Sequence, residues 1–203
     1  MQKLPSPWND EKAQLHTLEG IAASTLLLLV IVYAIDATSM TPLTSTTANA
    51  HVETELATIG QDILNSLDYA EPGYNSRLKN DILKWNGKTY VLWDGANYSE
   101  FGNVTSSNYL INNLTNISKL TLVKHGIAHN VEITFVAINK TSLSTQKMID
   151  NGQPSDNAVI VSRKIVFHDS DAVYLSITNP IKEIDTSSEL RNVVDIKLIL
   201  WRT

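Results

Sequence analysis

Residues 20–35 read GIAASTLLLLVIVYAI, a run of sixteen residues without a charge. As a helix this run would be about 24 Å long, at roughly 1.5 Å per residue, and a bilayer hydrocarbon core is about 30 Å thick. Its centre, residues 26–32, is aliphatic on every face, whereas a helix on the surface of a soluble domain shows a polar stripe. Extended to residues 14–40, the segment becomes long enough to cross a bilayer. The sequence therefore predicts one transmembrane helix surrounded by membrane lipid.

The residues in front of this run read KAQLHTLEG at positions 12–20. This segment resembles an archaeal prepilin processing site, which implies that a prepilin peptidase-like enzyme cleaves between Ala13 and Gln14 and removes a leader peptide, residues 1–13. Glu19 would then lie near the new N-terminus, where the resemblance implies an assembly contact with the amine of a neighbouring subunit. Two alternatives remain, a cleaved secretory signal and an unprocessed signal anchor. Glu19 would otherwise belong to a first helical turn that is capped by Thr17.

The chain beyond the apolar run divides into a stalk and a head. Pro42 predicts an interruption of the helix, and residues 41–69 form the predicted helical stalk. An apolar stripe on a helix over 48–67 would pack on the sheet of the same chain or on other subunits; it consists of Val52, Leu56, Ile59, Ile63 and Leu67.

The head, residues 70–203, combines short helices with alternating strands. Helices are predicted over 76–85 and 106–116, and Val131, Ile133 and Phe135 alternate with polar residues as in a half-buried antiparallel strand. Strands are predicted over 88–93, 120–124, 130–138, 158–167, 172–177 and 193–201. The predicted fold class is α+β, a long N-terminal transmembrane α-helix followed by an antiparallel β-sheet head, as in pilins.

Composition and motifs argue against several functional classes. The chain has no cysteine and a net charge of −5 with interspersed charges, which excludes thiol chemistry and argues against nucleic-acid binding. It contains no nucleophile elbow, phosphate-binding loop or zinc-protease motif. His125 and His129 are four residues apart, but Gly126 between them disfavours a shared metal on a helix, and residues 168–171 favour a turn between strands. We expect no enzyme activity, no cofactor and no metal.

Five asparagines match the Asn-x-Ser/Thr acceptor pattern for N-glycosylation. Four of them fall within twenty residues, and the cluster predicts an extracellular, glycan-bearing face, although a merely polar loop region explains it too. The five are Asn97, Asn103, Asn113, Asn116 and Asn139.

Five short segments, in this order, resemble an uncharacterised family of pilin-like membrane proteins in euryarchaea. The resemblance implies a single-pass, membrane-anchored structural protein with its C-terminal domain outside the cell. Such a protein would assemble through its N-terminal helix, with itself or with other pilin-like subunits, into a pilus or surface complex. The alternative is an unprocessed, signal-anchored binding module, either an adhesin or a component of an envelope or secretion complex. The segments are QLHTLEG at 14–20, TPL at 41–43, HNVEI at 129–133, GQPSDNAV at 152–159 and VDIKLILW at 194–201.

Overall fold

The computed structural model describes residues 11–39, 41–100 and 109–202, without the side chains of residues 11–15, 33–39, 41–48 and 92. The chain forms two compact units, Met1–Ala50 and His51–Thr203. The first contains α1 (Glu11–Ser39) and the beginning of α2 (Thr41–Asp68). Pro42 lies in α2. Residue 40, between α1 and α2, lies outside the described residues, so the predicted interruption of the helix stays a prediction.

Within the described residues, the second unit contains two further α-helices and seven strands. The helices are α3 (Arg77–Lys84) and α4 (Asn113–Thr121). The strands are β1 (Tyr90–Trp93), β2 (Tyr98–Glu100), β3 (Tyr109–Leu110), β4 (Ile127–Val136), β5 (Leu143–Ile149), β6 (Val159–His168) and β7 (Leu190–Arg202).

The seven strands form one mixed sheet in the order β3-β2-β1-β5-β4-β7-β6. Every pairing is antiparallel except that of β1 with β5, which is parallel. The predicted purely antiparallel sheet is therefore wrong at this junction. The reason is that β1 joins the sheet beside β5, which follows it by some fifty residues, and the chain crosses between the two through α4 and β4.

The predicted transmembrane helix is not found. Within the described part of the chain, no helix combines the length and the apolar character that a membrane crossing requires. The continuous aliphatic stretch of α1 is short, Leu26–Val32, and it is preceded by the hydroxyls of Ser24 and Thr25, which both donate to the carbonyl of Ile21. The fold class predicted from the sequence is therefore wrong in its N-terminal part as well.

The core of the second unit lies between one face of the sheet and the helices. The predicted apolar stripe of α2 is buried here at Leu56, Ile63 and Leu67, so its packing within the same chain is confirmed. Strand β6 alternates buried and exposed positions, so its polar residues Ser162 and Lys164 on the other face lie in solvent. The sheet contributes Val131, Ile133, Phe135, Val194, Ile196, Leu198 and Leu200 to the core, and α3 contributes Leu78, Ile82 and Leu83.

Several predicted elements differ in the structure. The helix expected over 106–116 begins at residue 113, because Asn112 accepts a hydrogen bond from the N–H of Thr115 at 2.8 Å, while the Thr115 hydroxyl accepts one from the N–H of Asn112. The expected cap, residues 106–107, lies outside the described residues. Residues 120–124, predicted as a strand, end α4 and enter the 3₁₀ turn Val123–His125. Residues 172–177, also predicted as a strand, form the end of the 3₁₀ helix Asp169–Tyr174 and an irregular segment after it.

Candidate interaction surfaces

The most unusual surface of the first unit is the aliphatic stretch of α1. All seven residues of Leu26–Val32 are exposed, with 46–65% of their surface in contact with solvent. Seven consecutive residues cover the whole circumference of a helix, since one turn takes 3.6 residues. Contiguous exposed apolar surfaces of this kind are typical of sites that contact another protein or a membrane.

The predicted processing and assembly residues lie in the same helix. Ala13 and Gln14 fall within α1, but their side chains lie outside the described part. Glu19 is exposed, and its Oε2 lies 3.4 Å from Nδ1 of His16, one turn earlier. Thr17 cannot cap the helix as the alternative interpretation required, because it lies inside α1. The side chain of Glu19 therefore lies beside His16, in the interior of α1 and not in a capped first turn.

A groove of about 730 Å³ lies in the second unit where α2, α4 and β4 meet. Its wall is aliphatic, and its rim carries charges, including an ion pair between Arg202 and Glu55 at 2.8 Å. The groove was not predicted from the sequence, because Leu120 was expected in a strand, whereas it belongs to α4 and is more than half exposed. The aliphatic wall consists of Ile59, Ile63, Ile117, Leu120 and Ile127.

The two histidines that are four residues apart do not converge. His125 belongs to a 3₁₀ turn, and its Nδ1 donates to the Thr121 carbonyl at 2.9 Å. His129 is fully buried in β4, with its ring edge-to-face against Tyr98 at 5.8 Å between centroids. Within the described residues neither ring nitrogen of His129 has a hydrogen-bond partner. Burial therefore lowers the pKa of His129 to about 4, because removal from water disfavours the charged ring.

Of the two aspartates at positions 169 and 171, Asp171 has a structural role, because it forms an ion pair with Lys79. Its carboxylate lies 2.7 Å from Nζ of Lys79 and accepts further hydrogen bonds from the His168 N–H and the Asn75 amide. Burial acts to raise the pKa of Asp171, but the hydrogen bonds from Lys79, His168 and Asn75 outweigh it and lower the pKa. The turn predicted here is a 3₁₀ helix, held to α3 by this ion pair.

The acceptor asparagines differ in their surroundings. Asn139 is exposed in the turn between β4 and β5, and so is Thr141, the hydroxyl residue of its acceptor pattern. Asn113 is exposed too, but its Nδ2 donates to the buried carboxylate of Asp81 at 2.8 Å. Asn103 lies outside the described residues. Asn97 and Asn116 have acceptor patterns whose serines, Ser99 and Ser118, are fully buried.

Comparison with known proteins gives a family and one relative. A family described as being of unknown function matches residues 12–200. An uncharacterized protein of Archaeoglobus fulgidus is 29% identical over 195 residues, which cover 96% of this chain and 94% of that protein. No solved structure matches the chain. These matches confirm the coarser part of the resemblance, an uncharacterised family with an archaeal member.

Proposed function

Since the chain belongs to the DUF7288 family, whose description gives no function, we propose a role from its own structure: it is a structural subunit that assembles through α1 at the cell surface. Its partners in that assembly are other copies of the chain or related pilin-like chains. The observation that carries the proposal is the exposure of Leu26–Val32 on every face of α1.

Aliphatic side chains in water cost free energy in proportion to their exposed area, about 25 cal/mol per Å². Packing between like helices removes that area without requiring a charged partner, and Leu26–Val32 contains no charge. Aliphatic residues recurring on all sides allow one helix to contact several neighbours at once, which is what a multi-subunit assembly needs. The acceptor asparagines of the second unit support a location outside the cell, as do the pilin-like segments in the sequence.

The absence of cysteine makes the proposal directly testable. Leu28→Cys in the full chain would place a single thiol in the aliphatic stretch, and we expect mild oxidation to give covalent dimers. The matched control is Ile177→Cys, because Ile177 is fully exposed in the second unit. Cross-linking of both variants at the same rate would contradict assembly through α1.

A second variant tests the driving force. Leu27→Asp with Leu29→Asp puts two charges into the stretch, and we expect the assembled species to disappear from size-exclusion chromatography with light scattering. Ile177→Asp is the control, and it should leave assembly unchanged. If the double variant assembles like the original chain, the aliphatic stretch is not the contact.

The groove between α2 and α4 favours a second candidate function, a binding module. An aliphatic wall with a charged rim and a volume of about 730 Å³ has the size and character of many ligand sites. Leu120→Asp would place at the wall a charge that repels an anionic apolar probe such as a naphthalene sulfonate, and we expect it to abolish binding of that probe in the Leu27→Asp, Leu29→Asp background. Unchanged probe fluorescence would remove this candidate.

A further inference from the structure

Strand β6 forms one edge of the sheet, and its sequence is symmetrical about its centre. It pairs with β7 on one side and, within the described residues, with no strand on the other. Its regular part, residues 159–167, reads VIVSRKIVF, three apolar residues, three polar residues and three apolar residues. The ladder shifts register only after Phe167, at the end of this pattern.

β6 is a long edge strand of ten residues. A long edge strand presents a row of unpaired N–H and C=O groups, which is a template for another strand. Two of the aliphatic side chains of β6 point away from the core, with Ile160 exposed at 62% and Val166 at 42%.

We propose that β6 pairs antiparallel with β6 of a second copy of this chain, across a two-fold axis at Arg163. The result is one continuous sheet of fourteen strands, seven from each copy. A two-fold contact uses the same surface in both subunits, so the strand must be complementary to itself. This contact is separate from the assembly through α1 and does not depend on it.

In the register centred on Arg163, every apolar residue of the nine-residue pattern lies opposite an apolar residue, and every polar residue lies opposite a polar one. Residues directly opposite each other in an antiparallel pair lie on the same face and contact each other. On the face away from the helices, Ile160 meets Val166, and Ser162 meets Lys164. On the helix-covered face, Val159 meets Phe167, and Val161 meets Ile165.

The charges near the axis are already neutralised within each copy. Nε of Arg163 lies 2.6 Å from Oδ2 of Asp68 on α2, and Nζ of Lys164 lies 3.5 Å from Oδ1 of Asp195 on β7. The approach of two Arg163 residues at the axis is therefore an approach of two ion pairs and not of two isolated cations.

Helix α2 leaves room for the second copy. A Cβ atom at Gly60 would lie 2.7 Å from side-chain atoms of both Val161 and Leu200, so α2 lies above β6 and β7 and not beyond the edge. With neighbouring strands about 4.8 Å apart, the two α2 helices would run about 10 Å from each other, which is a normal packing distance for helices. The packing of α2 at Gly60 therefore leaves the edge of β6 open.

Three single-cysteine variants of the full chain test the register. If the two-fold axis lies at residue 163, the cysteine of Arg163→Cys lies opposite the same cysteine of the second copy. If the axis lies at residue 162 or 164 instead, the same holds for Ser162→Cys or Lys164→Cys. We expect oxidation to link Arg163→Cys about tenfold faster than the other two, because a disulfide needs Cα atoms closer than about 7 Å. Equal rates for the three variants, or no disulfide in any of them, would overturn the proposal.

A charge-exchange series makes the same test without removing the Arg163 ion pair. Ile160→Lys should weaken self-association about tenfold, equivalent to 1.4 kcal/mol, and the double variant Ile160→Lys with Val166→Glu should restore it. Ile138→Lys is the control, because Ile138 is equally exposed in a turn away from β6. Measurements in the Leu27→Asp, Leu29→Asp background separate the two contacts, because β6 pairing persists there even if assembly through α1 has failed. A monomer at every concentration in that background would overturn the pairing.

Discussion

Gly60 on α2 lies so close to Val161 on β6 that no side chain fits between them. A Cβ atom at Gly60 would lie 2.7 Å from Cγ2 of Val161 and from Cδ1 of Leu200, closer than carbon atoms approach in folded proteins. Gly60 is also buried, although a glycine inside a helix costs about 1 kcal/mol relative to alanine. The glycine allows α2 to pack closely on the sheet, because it has no Cβ atom at this contact.

Gly60→Ala is therefore expected to destabilise the second unit. Overpacking costs about 1–3 kcal/mol, and the better helix propensity of alanine offsets up to about 1 kcal/mol of that, so a net loss of about 1 kcal/mol is expected. Chemical denaturation monitored by tryptophan fluorescence measures it. Thr58→Ala, on the exposed side of the same helix, is the control and should be neutral or slightly stabilising; an unchanged or higher stability of Gly60→Ala would show that α2 shifts without cost.

Replacing Asp171 should have one of the largest effects on stability. Both side chains of its ion pair are nearly buried, with 12% of Lys79 and 5% of Asp171 exposed. Asp171→Asn leaves a buried ammonium without its counter-charge, and such losses are about 3–5 kcal/mol. Asp156→Asn in an exposed loop is the matched control, expected to change the free energy of unfolding by less than about 0.5 kcal/mol. A double variant with Lys79→Met should recover part of the loss, and its failure to do so would mean that the two residues are not coupled.

His129 should make the stability of the second unit depend on pH. Its pKa is about 4 in the folded chain and about 6.5 in an unfolded chain, so between these values only the unfolded chain takes up the proton. The free energy of unfolding is therefore highest above pH 6.5, where His129 is neutral in both states. It falls by about 1.4 kcal/mol per pH unit as the pH falls from 6.5 towards 4.

The measurement is denaturation at several pH values for the original chain and for His129→Phe. The phenylalanine variant keeps a ring beside Tyr98 and should lose the slope between pH 6.5 and 4. Parallel pH profiles for the two proteins would exclude His129 as the source of the slope.

The acceptor asparagines should be modified unequally in the native host. Asn139 and Thr141 are both exposed in one turn, so Asn139 is expected to carry a glycan most fully. Asn113 should remain largely unmodified, because its Nδ2 is the atom that a glycan would occupy and it donates to buried Asp81. Glycopeptide mass spectrometry gives the occupancy of each site, and a fully occupied Asn113 with an empty Asn139 would reverse this order.

Strands with a regular apolar alternation could be predicted from the sequence, and β4, β6 and β7 lie within three residues of their expected bounds. β5 was missed because its exposed face is polar and only Met148 and Ile149 at its end are buried, so it shows no alternation. Residues 172–177 have strand-like composition, but their first half belongs to the 3₁₀ helix Asp169–Tyr174, which the ion pair of Asp171 holds to α3. The strength of a distant contact overrides local preference at this point.

The candidate surfaces, too, were predictable from the sequence only where their residues are contiguous in the chain. The aliphatic stretch of α1 is visible in the sequence because it is contiguous, although its length led to the wrong expectation of a membrane crossing. The groove was invisible because Ile59 and Ile127 are far apart in the chain and meet only after α2 packs on the sheet. The symmetry of β6 is present in the sequence too, but it gains a meaning only when β6 is known to be an edge.

The position of β7 has a consequence for how the molecule forms. β7 lies between β4 and β6, so the last strand in chain order joins two strands that do not pair with each other. Until it arrives, β6 has no neighbour in the sheet and α2 has no surface at Leu200 on which to rest. Contacts between distant parts of a chain form slowly, so completion of the sheet is a late event that follows synthesis of residues 190–202. A ribosome-bound chain would thus have an open sheet until residues 190–202 join β4 to β6.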